Sequence, residues 1–162
     1  MPTLSKAVLA IARVLAISHG HASHVARAAQ AARILPTGAG PVPVRLSHEQ
    51  VATLLLGVLS GVPLNRAADT ARRFAALEID GIDFSHALTP PPTLGRLLAN
   101  ILAGAVPGVR VTLDVDAVTA IVTGVGDVPL TFGTPVNTGR PIRRTASLSP
   151  RALHALSLSI QQ

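Results

Sequence analysis

The chain has 162 residues, which suits one compact domain or two small ones, and it has no cysteine, which excludes a disulfide scaffold, a thiolate metal centre and a thiol nucleophile. Apolar residues make up 48% and aromatics 2%, so a disordered tail is excluded and recognition by stacking on aromatic platforms is nearly so. The formal charge is +6, carried by thirteen Arg and the single Lys6.

That charge is unevenly spread. Residues 1–48 hold Lys6, Arg13, Arg27, Arg33 and Arg45 and no acid, residues 49–139 hold all eight acids and five Arg, and residues 140–162 hold four Arg and no acid. Two basic ends therefore flank a mildly acidic middle. Arg neutralises phosphates and pairs with them bidentately, so the pattern suits a polyanion surface at one or both ends, and solubility with a bias toward Arg explains it equally well.

Leu4, Val8, Ile11 and Leu15 fall on one face of a first helix, with Thr3 or Ser5 to cap it. Residues 1–22 loosely mimic a secretion signal. Arg13 interrupts the apolar region, and the stretch is read as a helix of a cytoplasmic protein. No apolar run approaches the roughly 20 residues of a membrane span, so no membrane partner is expected. Ile17 to Gly20 reads as a break. A second helix, roughly 21–35, groups Val25, Ala28, Ala29, Ala32 and Leu35 against His24, Arg27, Gln30 and Arg33, and Pro36-Thr37-Gly38 ends it.

After a loop from Gly38 to Arg45, Ser47 and Gln50 form a capping box flanked by a Leu46–Val51 staple, opening a third helix that ends near Ser60-Gly61. A fourth helix is expected from Asn65 as cap to about Leu77, then a turn-rich acidic segment from Glu78 to Phe84, a Pro-rich spacer at 89–92, and a fifth helix from Leu94 to Ala103. From Val109 the pattern alternates with period two through Val115. Further strands are expected within 117–125, 128–132 and 142–148, with a loop at 134–141. Ser149-Pro150 opens a last helix. The expected fold is thus α+β, with no internal repeat: a helical part, 1–104, containing a helix-turn-helix-like unit at 4–60, and a small strand-rich part, 108–162, ending in a helix.

The first two helices are the leading functional candidate. A helix-turn-helix lays its second helix in the major groove. Here that helix offers His24, Arg27, Gln30 and Arg33; Arg forks onto guanine and Gln onto adenine, and Arg45 in the following loop is placed for a phosphate. The ordinary alternative is a helical bundle with a solvated polar face. Arg140, Arg143, Arg144 and Arg151 form a possible second basic surface, for phosphate or an acidic partner, or a solvated tail. His19, His21 and His24 are spaced for zinc but lack an evident fourth ligand, and surface histidines explain them better. Asp114 with Asp116, and Glu78 with Asp80 and Asp83, suit Mg²⁺ in principle and solvated strand and turn positions equally well. Gly38-Ala39-Gly40 lacks the Gly-Lys-Ser/Thr of a phosphate loop, and no nucleophile triad stands out. Neither an enzyme activity nor a metal or cofactor is expected.

Ala31-Ala32-Arg33-Ile34-Leu35-Pro36-Thr37-Gly38, followed by Leu46-Ser47 and Ala52-Thr53-Leu54-Leu55-Leu56, resembles a group of uncharacterised phage and prophage proteins over roughly residues 25–60. The order of parts is also similar to that of phage small terminase subunits. That likeness implies a ring-forming homo-oligomer that recognises double-stranded viral DNA for packaging and docks a large phage subunit. Arg27, Gln30 and Arg33 would then belong to the DNA-reading helix and residues 109–148 to the docking end. The alternatives are a prophage transcription regulator using the same helix, and an interaction or structural phage protein that does not bind DNA. The expected location is the cytoplasm of the bacterial host.

Overall fold

The structure, a computed structural model, describes residues 1–38, 42–81, 92–104, 108–134 and 143–161. Helix α1 (Leu4–Val14) starts where Thr3 Oγ1 accepts the Lys6 amide at 3.3 Å, and it buries Val8 and Ile11 of the expected stripe, with Leu4 and Leu15 half-buried. Its C-terminal turn closes through the Ile17 amide on the Ala12 carbonyl, with Ala16 at φ 52°.

Helix α2 (His19–Ala31) begins earlier and ends earlier than its periodicity implies. Ser18 caps it by accepting the His21 amide at 3.1 Å, so Gly20 lies in the first turn of the helix and not in a break. The left-handed residue that ends the helix is Arg33, at φ 56°, not Gly38, and the Ile34 amide closes onto the Ala29 carbonyl at 2.9 Å. Leu35 explains the early stop. It precedes Pro36, which disfavours helical backbone, and its side chain is buried in the core.

Helix α3 (His48–Leu59) carries the capping box in full, with the Ser47 amide on Gln50 Oε1 at 2.9 Å and the Gln50 amide on Ser47 Oγ at 3.2 Å. Leu46 and Val51 are both fully buried, as a staple requires. Helix α4 (Leu64–Ala75) departs from expectation: Pro63, not Asn65, occupies the cap position, and no side chain caps it. Pro63 cannot continue a helix behind it but has the φ to start one, and its carbonyl accepts the Arg66 amide at 2.9 Å. Helix α5 (Leu94–Leu102) is capped by Thr93.

Strands β1 (Arg110–Asp114), β2 (Thr119–Thr123), β3 (Leu130–Phe132) and β4 (Thr145–Leu148) form an antiparallel sheet in the order β3-β2-β1-β4. Val111 pairs with Val122 on one side and Leu148 on the other, and these side chains with Leu113, Ala120 and Phe132 are buried. Glu78 to Asp80, expected as a turn, instead runs beside β3: Ile79 bridges Phe132, and the Asp80 amide donates to the Thr131 carbonyl at 2.7 Å. Helix α6 (Pro150–Gln161) starts with the Ala152 amide on Ser149 Oγ and packs on α1 and α5. The protein is α+β, with helices first, then the sheet, then the last helix.

One hydrophobic cluster takes Val8 and Ile11 from α1, Leu54 and Leu55 from α3, Phe74 from α4, Leu98 from α5, Leu113 and Val122 from the sheet and Leu156 from α6. Residues 105–107 of the expected boundary, the Pro-rich spacer apart from Pro92, the loop at 135–141, Ile142 and Asp83 lie outside the described residues.

Candidate nucleic-acid interface

Helix α2 buries only small and β-branched groups, Ala22, Val25, Ala26 and Ala29. That lets it approach its neighbours closely: a β-carbon on Gly57 of α3 would meet Val25 Cγ1 at 3.3 Å and Ala71 Cβ at 3.2 Å. The helices behind α2 are α1, α3 and α4. Helix α4, which lies beyond the unit expected at 4–60, thus packs behind α2 together with α3.

The exposed ridge of α2 is Gly20, His24, Arg27 and Ala31. His24 and Arg27 stand on it as expected. Gln30 does not face solvent freely: it is half-buried, and its amide nitrogen donates to the Pro36 carbonyl at 3.0 Å. That bond holds the chain after α2 in place and engages one of the two amide N–H donors of Gln30, which constrains how the side chain can be presented to a base. Arg33 is exposed but stands two residues beyond the end of the helix, so the four residues read as one polar helical face do not form one.

Arg45 is exposed and fixed beside the start of α1, where it bridges Thr3, while the Leu4 amide donates to the Val44 carbonyl at 2.8 Å and the Leu46 amide to the Pro2 carbonyl at 2.9 Å. Leu4 and Val8 form the apolar floor of a groove of about 200 Å³ between α1 and α2, with Ser5, Arg27 and Gln30 on its walls. Arg45 pairs with Thr3, the residue before Leu4 of this groove, and is not itself part of the groove's lining. Arg13, in the last turn of α1, is exposed as well.

The histidines sit at the other end of α2. His19 and His24 are exposed, and His19 Nδ1 lies 3.5 Å from Ser23 Oγ. Among the described residues no group of three or more His, Asp or Glu side chains is placed to hold a metal ion.

The second basic surface is altered by pairing. Arg144 Nε and Nη2 donate to Asp116 Oδ1 at 3.3 and 3.0 Å, and the Arg144 amide donates to Oδ2 at 2.8 Å. Arg143 lies 3.5 Å from Asp114 Oδ2. Asp114 Oδ1 in turn accepts the amides of Asp116 and Ala117 at 3.1 and 3.0 Å, shaping the β1–β2 turn. The aspartates are thus committed to the turn and to the two arginines that lead into β4. Arg151 is exposed in the first turn of α6, and Arg140 lies outside the described residues.

The acidic middle also hides cations. Arg66, Arg72 and Arg73 all lie on α4 with only Asp69 as an acid. Arg72 pairs with Asp69 at 3.5 Å and donates to the Ala32 carbonyl at 3.2 Å, closing the end of α2 from outside. A segment-wide charge count averages this helix against the acids around it. A helical wheel drawn on residues 64–75 would have exposed it.

No protein family, curated protein or solved structure matches the chain.

Proposed function

We propose that this protein binds double-stranded DNA without acting as an enzyme, using the surface built by α1, α2 and the chain leading into α3. The observation that carries this reading is charge placement. Residues 1–48 contain no acid, their four arginines are all exposed, and among the described residues none of those arginines forms an ion pair. Exposed guanidinium groups that form no ion pair with the protein's own acids are available to phosphates.

The placement of Gln30 and Arg33 shifts the expected mode of binding. Arg27 and His24 on the α2 ridge are available to a groove, whereas Arg33 and Arg45 flank the helix as backbone contacts. Affinity would come mainly from phosphate neutralisation, multiplied by oligomer avidity. The most concrete version is a small-terminase-like packaging factor of a phage, with a large phage subunit as partner, and it rests on the resemblance stated above.

The test is fluorescence anisotropy on a duplex at several salt concentrations, with wild type and Arg27→Ala/Arg33→Ala. The double variant should lose most binding while keeping its helical circular dichroism. Its salt slope should fall by about one per phosphate contact removed. Unchanged binding would defeat the reading, and salt-independent binding would favour an interaction protein that does not use DNA. Light scattering separates the finer roles: a ring supports packaging, and a dimer supports a prophage regulator on twofold sites.

A further inference from the structure

A cleft of about 260 Å³ lies between α4 and the β1–β2 turn. One wall is α4, which contributes Arg66, Thr70 and Arg73. Positions four and seven residues apart stack on one side of a helix, so these three side chains share a flank. Arg72 occupies the other flank, engaged with Asp69 and with the end of α2. Arg66 and Arg73 are exposed and form no ion pair among the described residues.

The opposite wall is the β1–β2 turn with Arg144. Here Asp116, the one acid of the cleft among the described residues, has a side chain only 7% exposed. Its oxygens receive the backbone amide, Nε and Nη2 of Arg144. The carboxylate thereby orients the Arg144 guanidinium. Because Arg carries five N–H donors, Nη1 remains to reach a ligand, and the Arg144 side chain is 59% exposed. Val62, Val115 and Val118 supply an apolar lining.

Among the described residues, three guanidinium groups against one carboxylate leave the cleft with two positive charges in excess. That balance disfavours a divalent cation and matches a dianion. Guanidinium groups bind phosphate oxygens in bidentate pairs, and the Thr70 hydroxyl adds one donor. The volume is below the range of roughly 300–1,000 Å³ for drug-sized ligands, which suits a small anion. We propose that this cleft binds a dianionic phosphate group, free or at the end of a monoester, held by Arg66, Arg73 and Arg144 with Thr70. Diester phosphates of a DNA backbone carry one charge each and belong to the separate α1–α2 surface.

The experiment is isothermal titration calorimetry of the full chain in a phosphate-free buffer. The probes are inorganic phosphate, glycerol 2-phosphate and a short duplex, each titrated into wild type, Arg66→Gln/Arg73→Gln and Arg27→Ala. Wild type should bind inorganic phosphate or the monoester with one-to-one stoichiometry, and which of the two binds more tightly names the source. Each lost charge-assisted contact is worth about tenfold, so the double variant should bind at least tenfold more weakly while Arg27→Ala is unaffected. Both variants alter exposed side chains, and unchanged thermal melting confirms that each is folded. Absence of phosphate binding by wild type, equal affinity in the double variant, or loss of duplex binding alone in that variant would overturn the proposal. Because Arg27→Ala is the control here and the probe in the duplex assay, failure of one reading leaves the other standing.

Discussion

Among the described residues, three without glycine's freedom adopt left-handed backbone: Ala16 at φ 52°, Arg33 at φ 56° and Val118 at φ 54°. Two of them follow the C-caps of α1 and α2, the position where helices commonly end in glycine. The left-handed conformation costs an L-residue about 1–2 kcal/mol, and glycine returns part of that gain as unfolded-chain entropy. Ala16 is exposed, so its replacement forfeits no packing. Ala16→Gly should therefore stabilise the fold by about 0.5–1 kcal/mol, read as a higher urea midpoint with an unchanged slope. Arg33→Gly should stabilise for the same reason yet weaken duplex binding, since the guanidinium is lost. A variant that is both more stable and a weaker binder separates the role of that side chain from its conformation. If stability falls instead, Arg33 makes contacts that its backbone angle conceals.

Packing between elements decides the sign of a different pair of glycine substitutions. Alanine is favoured over glycine by about 0.8–1.0 kcal/mol inside a helix, so both Gly20 in α2 and Gly95 in α5 look improvable from sequence. A β-carbon on Gly20 would meet nothing within 4 Å, whereas one on Gly95 would lie 2.9 Å from the Ala75 carbonyl oxygen and 3.1 Å from Ala75 Cβ, where the end of α4 crosses α5. Overpacking typically costs about 1–3 kcal/mol. Gly20→Ala should raise the melting temperature and Gly95→Ala should lower it, and equal shifts in one direction would show that helix propensity outweighs the crossing. The same distinction explains what was legible in the sequence. The Leu4–Ile11 stripe, the Ser47–Gln50 box and the Val109–Val115 alternation are local to their elements, and they place the starts of α1, α3 and β1 to within about a residue. Helix α2 shifted because a cap at Ser18 and a proline two residues past Ile34 outweigh periodicity. The sites were less legible because charge pairing is not local. Arg144 finds Asp116 across 28 positions, and although a helical wheel groups Arg66 with Arg73, only the fold sets them opposite Arg144 across a cleft.

At the scale of the whole molecule, the change from helices to strands near residue 108 does not divide the core. Helix α6 lies against α1, near the start of the chain, and against α5. Ser157 Oγ donates to the Leu102 carbonyl at 2.8 Å and Gln161 Nε2 to the same carbonyl at 3.3 Å, so α6 satisfies the end of α5 as well as burying Leu153, Leu156 and Ile160. Burying each such large side chain contributes about 1.5–3 kcal/mol, against a total stability of about 5–15 kcal/mol for a domain. Removal of residues 150–162 should therefore unfold the helices at 4–75 too, although the last of them ends at Ala75, far before the cut. In the intact protein, far-ultraviolet circular dichroism, dominated by the helices, and the methyl resonances of Val111 and Val122 in the sheet should report one shared midpoint in urea, as expected of a two-state unit. Two separated midpoints, or a truncated chain whose first four helices remain folded, would show that the helical part stands alone. The duplex surface of α1 and α2 would then be independent of α6. A single transition makes DNA binding at the basic N-terminal end depend on the integrity of the last helix, through the shared core rather than through any contact with DNA.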